Sequence, residues 1–243
     1  MIIMSSHWLE RTEMLIGTES LGKLRESRVL VVGLGGVGAY AAEMICRAGI
    51  GSMTIADGDT VHSSNINRQL LALNSSVGKS KALLMGERLL EINPDLKLTV
   101  IDEYVRDEGI LAVLDKGYDY VVDAIDALSP KAYLLLHVLA GNCPVVSSMG
   151  SGGKFDPLKI RITDFSETTD CTLARLLRKR LHKLGVREGF KAVWSPEVTD
   201  KKKIIPVYGE RNKASIVGTV SYMPAAFGIA CASVVIRDLA GIT

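Results

Sequence analysis

The sequence predicts an α/β fold: a Rossmann-like, doubly wound sheet, mostly parallel, with an antiparallel C-terminal extension. Three observations carry that prediction. Residues 28–59 read as strand, glycine turn, helix, strand and terminal acid. Strand-like and helix-like runs then alternate as far as Ser148, the grammar of a parallel sheet covered on both faces. After Gly150-Ser151-Gly152-Gly153 the grammar changes, and residues 158–163 alternate polar and apolar as an exposed-face strand does.

Val29, Leu30, Val31 and Val32 form a short apolar run, rich in β-branched residues, that suits a buried parallel strand. Gly33, Gly35 and Gly38 follow as Gly-x-Gly-x-x-Gly, with Gly36 inside the turn. A helix over 39–48 is stopped by Gly49 and Gly51, and a strand over 53–56 ends on Asp57. The glycines allow a tight turn and let backbone N–H groups approach a phosphate at the positive end of the helix. Asp57 is placed to accept hydrogen bonds from ribose hydroxyls. Further on, the pattern predicts a polar loop over 60–76, helices over 77–92, 107–114 and 130–140, and strands over 97–101, 119–123 and 144–148. An N-terminal arm, 1–27, precedes this unit, with a helix over 18–25 capped by Thr18. Beyond 150 the expectations are a helix over 172–184, a short strand at 192–194, a polar basic loop over 199–214 and a closing helix over 223–240. The chain reads as one domain: arm 1–27, nucleotide unit 28–150 and basic extension 151–243.

At 243 residues, 47% apolar and a mean hydropathy of +0.22, the chain can bury a substantial core. No apolar run reaches the ~18 residues of a membrane helix. The nearest, 223–236, reads as a core helix, with peripheral membrane attachment a minor alternative and no stable insertion. No basic stretch leads into an apolar one at the N-terminus, so a cytoplasmic location is expected. None of the four cysteines is in a Cys-x-x-Cys pair, which leaves no case for a structural zinc. Net charge is +2 but uneven. Residues 1–150 hold 13 Lys+Arg against 18 Asp+Glu, a net of −5; residues 151–243 hold 16 against 9, a net of +7. The basic third suggests an anionic partner.

Four further elements bear on chemistry: Asn65-Ile66-Asn67-Arg68-Gln69, Gly78-Lys79-Ser80-Lys81, Asp123-Ala124-Ile125-Asp126, and Arg11. Ligands of open α/β sheets bind at the carboxyl ends of the strands. Asp57 and Asp126 belong at that edge, and Arg68 and Lys81 lie in connections leaving it. A dinucleotide oxidoreductase reads the same as far as Asp57 but needs no such set of cations. An enzyme that attacks a triphosphate does, because charge builds on the phosphoryl oxygens. A carboxylate opposite them is the natural place for Mg²⁺. Asp126 is the choice, with Asp123 turned inward as a cap or loop anchor. Taken singly, Arg68 and Lys81 read as solvated charges, and Lys79 is as well placed as Lys81.

Together, Gly33-Leu34-Gly35-Gly36-Val37-Gly38, Asp57-Gly58-Asp59-Thr60-Val61, the 65–69 segment, Lys81 and Asp123–Asp126 resemble the adenylating domain shared by ubiquitin-activating enzymes and the activators of bacterial sulfur-carrier proteins. The resemblance spans about residues 11–164. It implies ATP with Mg²⁺, adenylation of a carboxylate, pyrophosphate release and a homodimer. It also implies that Asp57 holds the ribose, that Arg68 and Lys81 hold the phosphates, and that Asn65 lines the nucleotide site with Gly33, Gly35, Gly36 and Gly38. Asp126 would hold Mg²⁺. Arg11, in Arg-Thr-x-x-Leu-x-Gly, would reach the ATP of a second copy.

Within this family, sulfur-carrier activators usually carry two Cys-x-x-Cys pairs, which are absent here. Asp123–Asp126 followed by Pro130-Lys131, the 150–153 glycines, Asp156-Pro157 and Ala225-Ala226-Phe227-Gly228 resembles instead the tRNA threonylcarbamoyladenosine dehydratase branch. The implied reaction adenylates the carboxylate of the modified adenosine at tRNA position 37 and closes a ring within the same molecule. Such an attack has a high effective molarity and needs no enzyme nucleophile. Some members carry a cysteine where this chain has Lys213, and Cys171, near the start of the 172–184 helix, matches no family position. The alternative is activation of a small sulfur-carrier protein; a sulfur-transfer protein is a possible partner. For tRNA, the 172–184 helix places Leu173, Leu176, Leu177, Leu181 and Leu184 on one side and Arg175, Arg178, Lys179, His182 and Lys183 on the other. With Lys201–Lys203, Arg211 and Lys213, it makes a phosphate-binding face.

Overall fold

The computed structural model describes residues 7–106, 108–206 and 215–242. Helices α1 (Glu10–Ile16) and α2 (Thr18–Glu26) lead into β1 (Arg28–Val32), α3 (Gly38–Arg47) and β2 (Ser52–Ala56). Then come α4 (Lys81–Ile92), β3 (Lys97–Ile101), α5 (Glu108–Leu114), β4 (Tyr120–Asp123), α6 (Leu128–Ala140) and β5 (Val145–Ser148). The remainder supplies β6 (Arg161–Asp164), α7 (Thr172–Lys183), β7 (Lys191–Trp194), the hairpin β8 (Ile204–Pro206) with β9 (Ser215–Val217), and α8 (Tyr222–Ala240).

Seven strands form one sheet in the order β3-β2-β1-β4-β5-β7-β6. All neighbours are parallel except β6, which runs antiparallel to β7 at the edge. β1 is buried on both faces because successive side chains point to opposite sides. Val29 and Val31 meet the layer built from α3, α4 and α8, while Leu30 and Val32 meet the layer of α5, α6 and α7. Strand order reverses between β1 and β4, where Val32 lies beside Asp123. That switch point opens a crevice at the carboxyl ends, where such sheets bind ligands.

Several boundaries move from their expected places. The helix expected over 77–92 begins at Lys81, because Gly78 has φ +86° and the Ser80 hydroxyl caps the Leu83 N–H at 3.2 Å. The strand expected over 158–163 covers only Arg161–Asp164, since residues 157–159 form a 3₁₀ turn capped by Asp156. α1 was not foreseen; it buries none of its residues and so carries no apolar stripe to read. Part of the loop expected over 199–214 pairs as β8 with β9, while residues 207–214 and Asp107, the expected first residue of the 107–114 helix, lie outside the described residues. α8 is long and apolar enough to cross a membrane by length and composition, but half of it is buried, packed along α3.

Candidate active site

The turn after β1 is held to the end of β4. Gly33 has φ +90° and donates its N–H to the Ala56 carbonyl at 2.8 Å; the Ala124 N–H reaches the Val32 carbonyl at 2.9 Å. A Cβ at Gly33 would lie 2.8 Å from the Ala124 oxygen, and one at Gly38 only 1.7 Å from the Gly33 oxygen. One at Gly36 would press on Pro224 at 2.9 Å. Internal packing therefore explains three of these glycines. Gly35 differs: the nearest atom to its missing Cβ is the Gln69 amide nitrogen, 3.7 Å away. The Gln69 carboxamide oxygen is buried with no hydrogen-bond partner among the described residues. Open space beside bare backbone, facing the N-terminal end of α3, suits a phosphate group.

Asp57 closes β2 and ties it to that turn. Its carboxylate accepts the Leu34 N–H at 2.6 Å and the Asp59 N–H at 2.8 Å. Burial pushes its pKa up, against those two bonds and the nearby Lys81 charge. The segment after Asp57 is stitched to the start of α4: the Lys81 N–H donates to the Asp59 carbonyl at 3.0 Å, and Thr60 bridges Ser80. This places the Lys81 ammonium, 4% exposed, at 2.9 Å from an Asp59 oxygen. Lys79, by contrast, is exposed. Burial alone would raise the Asp59 pKa, but hydrogen bonds from Tyr104 and Lys81 outweigh it and hold the carboxyl below its ordinary value.

Arg68 is half-buried beside the glycine turn, its carbonyl 3.4 Å from the missing Cβ of Gly36. Its guanidinium folds onto its own loop, donating to the Ser64 carbonyl at 2.9 Å and to the Asn67 side chain at 2.7 Å. Asn65 is buried and shapes that loop: its side-chain oxygen accepts the His62 N–H at 3.0 Å, and its carbonyl accepts the N–H groups of Arg68 and Gln69.

The two acids after β4 lie in different surroundings. Asp123 is fully buried, accepting from the Ser147 hydroxyl at 2.6 Å and paired with the Lys131 ammonium at 2.8 Å. Asp126 is exposed, and no hydrogen bond or ion pair is seen for it among the described residues, which leaves its carboxylate available to a cation. Arg11 is not brought to this cluster. It is exposed on α1, whose neighbouring Leu9 packs over Gly49 at the opposite rim, so within one chain it stays apart.

Sequence reasoning did not single out Tyr104 or Lys154. Lys154, 2% exposed, turns its ammonium onto the carbonyls of Ser195, Asp170 and Glu197, and the Glu197 carboxylate accepts the N–H groups of Phe155 and Asp156. These bonds set the loop after β5. Cys171, buried, caps that side, its sulfur 3.6 Å from the missing Cβ of Gly150. On α7 the buried residues are Ala174, Leu177 and Leu181; Leu176 and Leu184 face solvent, contrary to the expected stripe. Arg178 also departs from expectation: it donates to the Thr168 carbonyl and hydroxyl and sits over the Phe165 ring. Arg175, Lys179, Arg180, His182 and Lys183 remain exposed.

A glycine turn, a buried lysine paired with a half-buried aspartate, and an available carboxylate at the switch point of such a sheet define a nucleotide-dependent α/β protein. The chain belongs to the ThiF family, whose model matches residues 9–243. It is 40% identical to the tRNA threonylcarbamoyladenosine dehydratase of Escherichia coli K12 over 183 residues, covering 74% of this chain and 68% of that protein. Against the Bacillus subtilis 168 protein of the same name it is 39% identical over 191 residues, covering 79% and 75%. The crystal structure of the E. coli dehydratase, TcdA, in complex with ATP superposes with a TM-score of 0.87 at 35% identity, covering 99% of this chain and 98% of that one. The E. coli sulfur carrier protein ThiS adenylyltransferase is more distant, 33% identical over 57% of this chain and 56% of its own length.

Proposed function

We propose that this protein is an ATP-dependent tRNA threonylcarbamoyladenosine dehydratase that works by carboxylate adenylation. The observation that carries the reading is the site itself: open backbone at Gly35, with Lys81 held in place by Asp59, the Arg68 loop alongside, and Asp126 available opposite. The substrate carboxylate attacks the α-phosphorus of ATP, the bond to pyrophosphate breaks, and an acyl-adenylate forms. The ureido oxygen of the same nucleoside then attacks the acyl carbon, AMP departs and the ureido N–H gives up its proton. The nucleoside loses the elements of water, and ATP becomes AMP and pyrophosphate.

Asp57 would receive the ribose hydroxyls, and Lys81 and Arg68 would meet the triphosphate, the guanidinium swinging off Ser64 and Asn67. Asp126 would hold Mg²⁺, which neutralises phosphate charge when bound. A homodimer would let Arg11 of one copy serve the site of the other. The exposed basic face of α7 would take tRNA phosphates. The protein would work in the cytoplasm, where its tRNA substrate is.

The test is mass spectrometry of tRNA nucleosides after incubation with ATP and Mg²⁺. The modified nucleoside should lose ~18 Da, one water, as intramolecular closure requires. Arg68→Ala and Asp126→Ala should each abolish turnover with unchanged melting. Activity retained in either variant removes that residue from the mechanism. ATP–pyrophosphate exchange driven only by a Gly-Gly-tailed protein would favour the sulfur-carrier reading instead.

A further inference from the structure

The loop leaving β3 clamps the start of α4 at two points. Asp102 accepts the hydroxyl of Ser80, the N-cap of α4, at 2.6 Å. Tyr104 donates its phenolic O–H to Oδ1 of Asp59, while Oδ2 of the same carboxylate takes the Lys81 ammonium. Gly58 makes room for this: a Cβ there would lie 2.4 Å from the Tyr104 nitrogen and 2.8 Å from its ring. Tyr104 is nonetheless 59% exposed, so it forms part of the site's rim rather than of the core. The bond to Asp59, followed by burial and the charges of Asp59, Asp57 and Asp126, pushes the phenol up to about 12, which keeps it a donor at neutral pH.

We propose that Tyr104 is a positioning residue of the nucleotide site, setting how tightly Asp59 holds the Lys81 ammonium and so how much of that charge a triphosphate can take. The proposal rests on the ATP reading above. A carboxylate that accepts a phenol on one oxygen spends part of its charge there and offers the ammonium a single contact. Without the phenol, Oδ1 is free to approach Lys81 as well. The pair tightens, and a phosphate oxygen must compete with a stronger internal acceptor. The effect is on triphosphate binding, shared by ground and transition states, so it appears in affinity more than in turnover.

The experiment is calorimetric ATP binding and steady-state kinetics on the full chain with Tyr104→Phe, alone and with Asp59→Asn. Tyr104→Phe should weaken ATP about tenfold, the scale of one hydrogen bond to a charged group, and raise KM far more than it lowers kcat. In the Asp59→Asn background the same substitution should change ATP affinity less than about twofold, since the coupling is between these two groups. Should Asp59→Asn fail to fold by melting, Lys81→Met supplies the second background. An unchanged ATP affinity in Tyr104→Phe, or an equal loss in both backgrounds, overturns the proposal while leaving the ATP reading intact. A wild-type chain that binds no ATP overturns both.

Discussion

At the scale of single residues, the four glycines after β1 separate into two kinds. Gly33, Gly36 and Gly38 have protein atoms where a side chain would begin, whereas Gly35 has open space. Gly35→Ala should therefore leave the melting temperature nearly unchanged, within the ~0.5 kcal/mol typical of a surface substitution. The same change should weaken ATP at least about tenfold by blocking the close approach of phosphate to backbone. Gly38→Ala should unfold or severely destabilise the chain. Thermal melts beside ATP calorimetry would check both, and equal melting losses for the two would contradict the distinction. The glycine spacing was readable in the sequence because turn and strand are local. The partnership of Asp59 with Lys81 and Tyr104 was not, since those residues stand 22 and 45 positions away and only the crossover through α4 and β3 brings them together.

Elements show the same divide. Strands β1, β2 and β4 were legible because both faces are buried and the runs are mostly apolar. α7 was legible as a helix but not in its contacts, because Thr168, which captures Arg178, precedes the helix and belongs to no periodic pattern. The docking face is therefore better probed with Arg175→Glu and Lys179→Glu. The pair should weaken tRNA binding at least about tenfold at low salt and reduce the slope of log K against log salt by ~1 to 2, about 0.9 per phosphate contact. ATP affinity should not move; unchanged tRNA affinity would put the docking face elsewhere. Between α3 and α4, Glu43 offers a second test. Burial by itself would raise its carboxyl, but Arg88 and Arg47 outweigh burial and hold it below its ordinary value of 4.5. A depressed acid contributes stability above its unfolded pKa and loses it as pH falls through the folded one. Glu43→Gln should lower Tm at pH 7 by about 2–8 °C, from ~1–2 kcal/mol at this size, and should flatten the fall of Tm below about pH 5. An acid limb identical to wild type would assign the clamp no role.

For the whole molecule, the proposed reach of Arg11 into the site of a second copy can be tested by mixing variants. Its distance from Lys81 and Asp126 within one chain follows from α1 packing near Gly49, at the far rim. Arg11→Ala and Asp126→Ala should each be inactive alone. Mixed after dissociation, they should recover about a quarter of wild-type activity, since random pairing makes half the dimers mixed and each mixed dimer has one intact site. No recovery would mean that Arg11 acts within its own chain or not at all. Residues 151–243 also share the fold rather than hang from it. β7 sits between β5 and β6 in the main sheet, and α8 covers α3 beneath the glycine turn. The part of the chain that would choose the RNA thus cannot be traded like a cartridge between relatives. Any drift in which RNA it prefers would be screened by its effect on the sheet that burns the fuel.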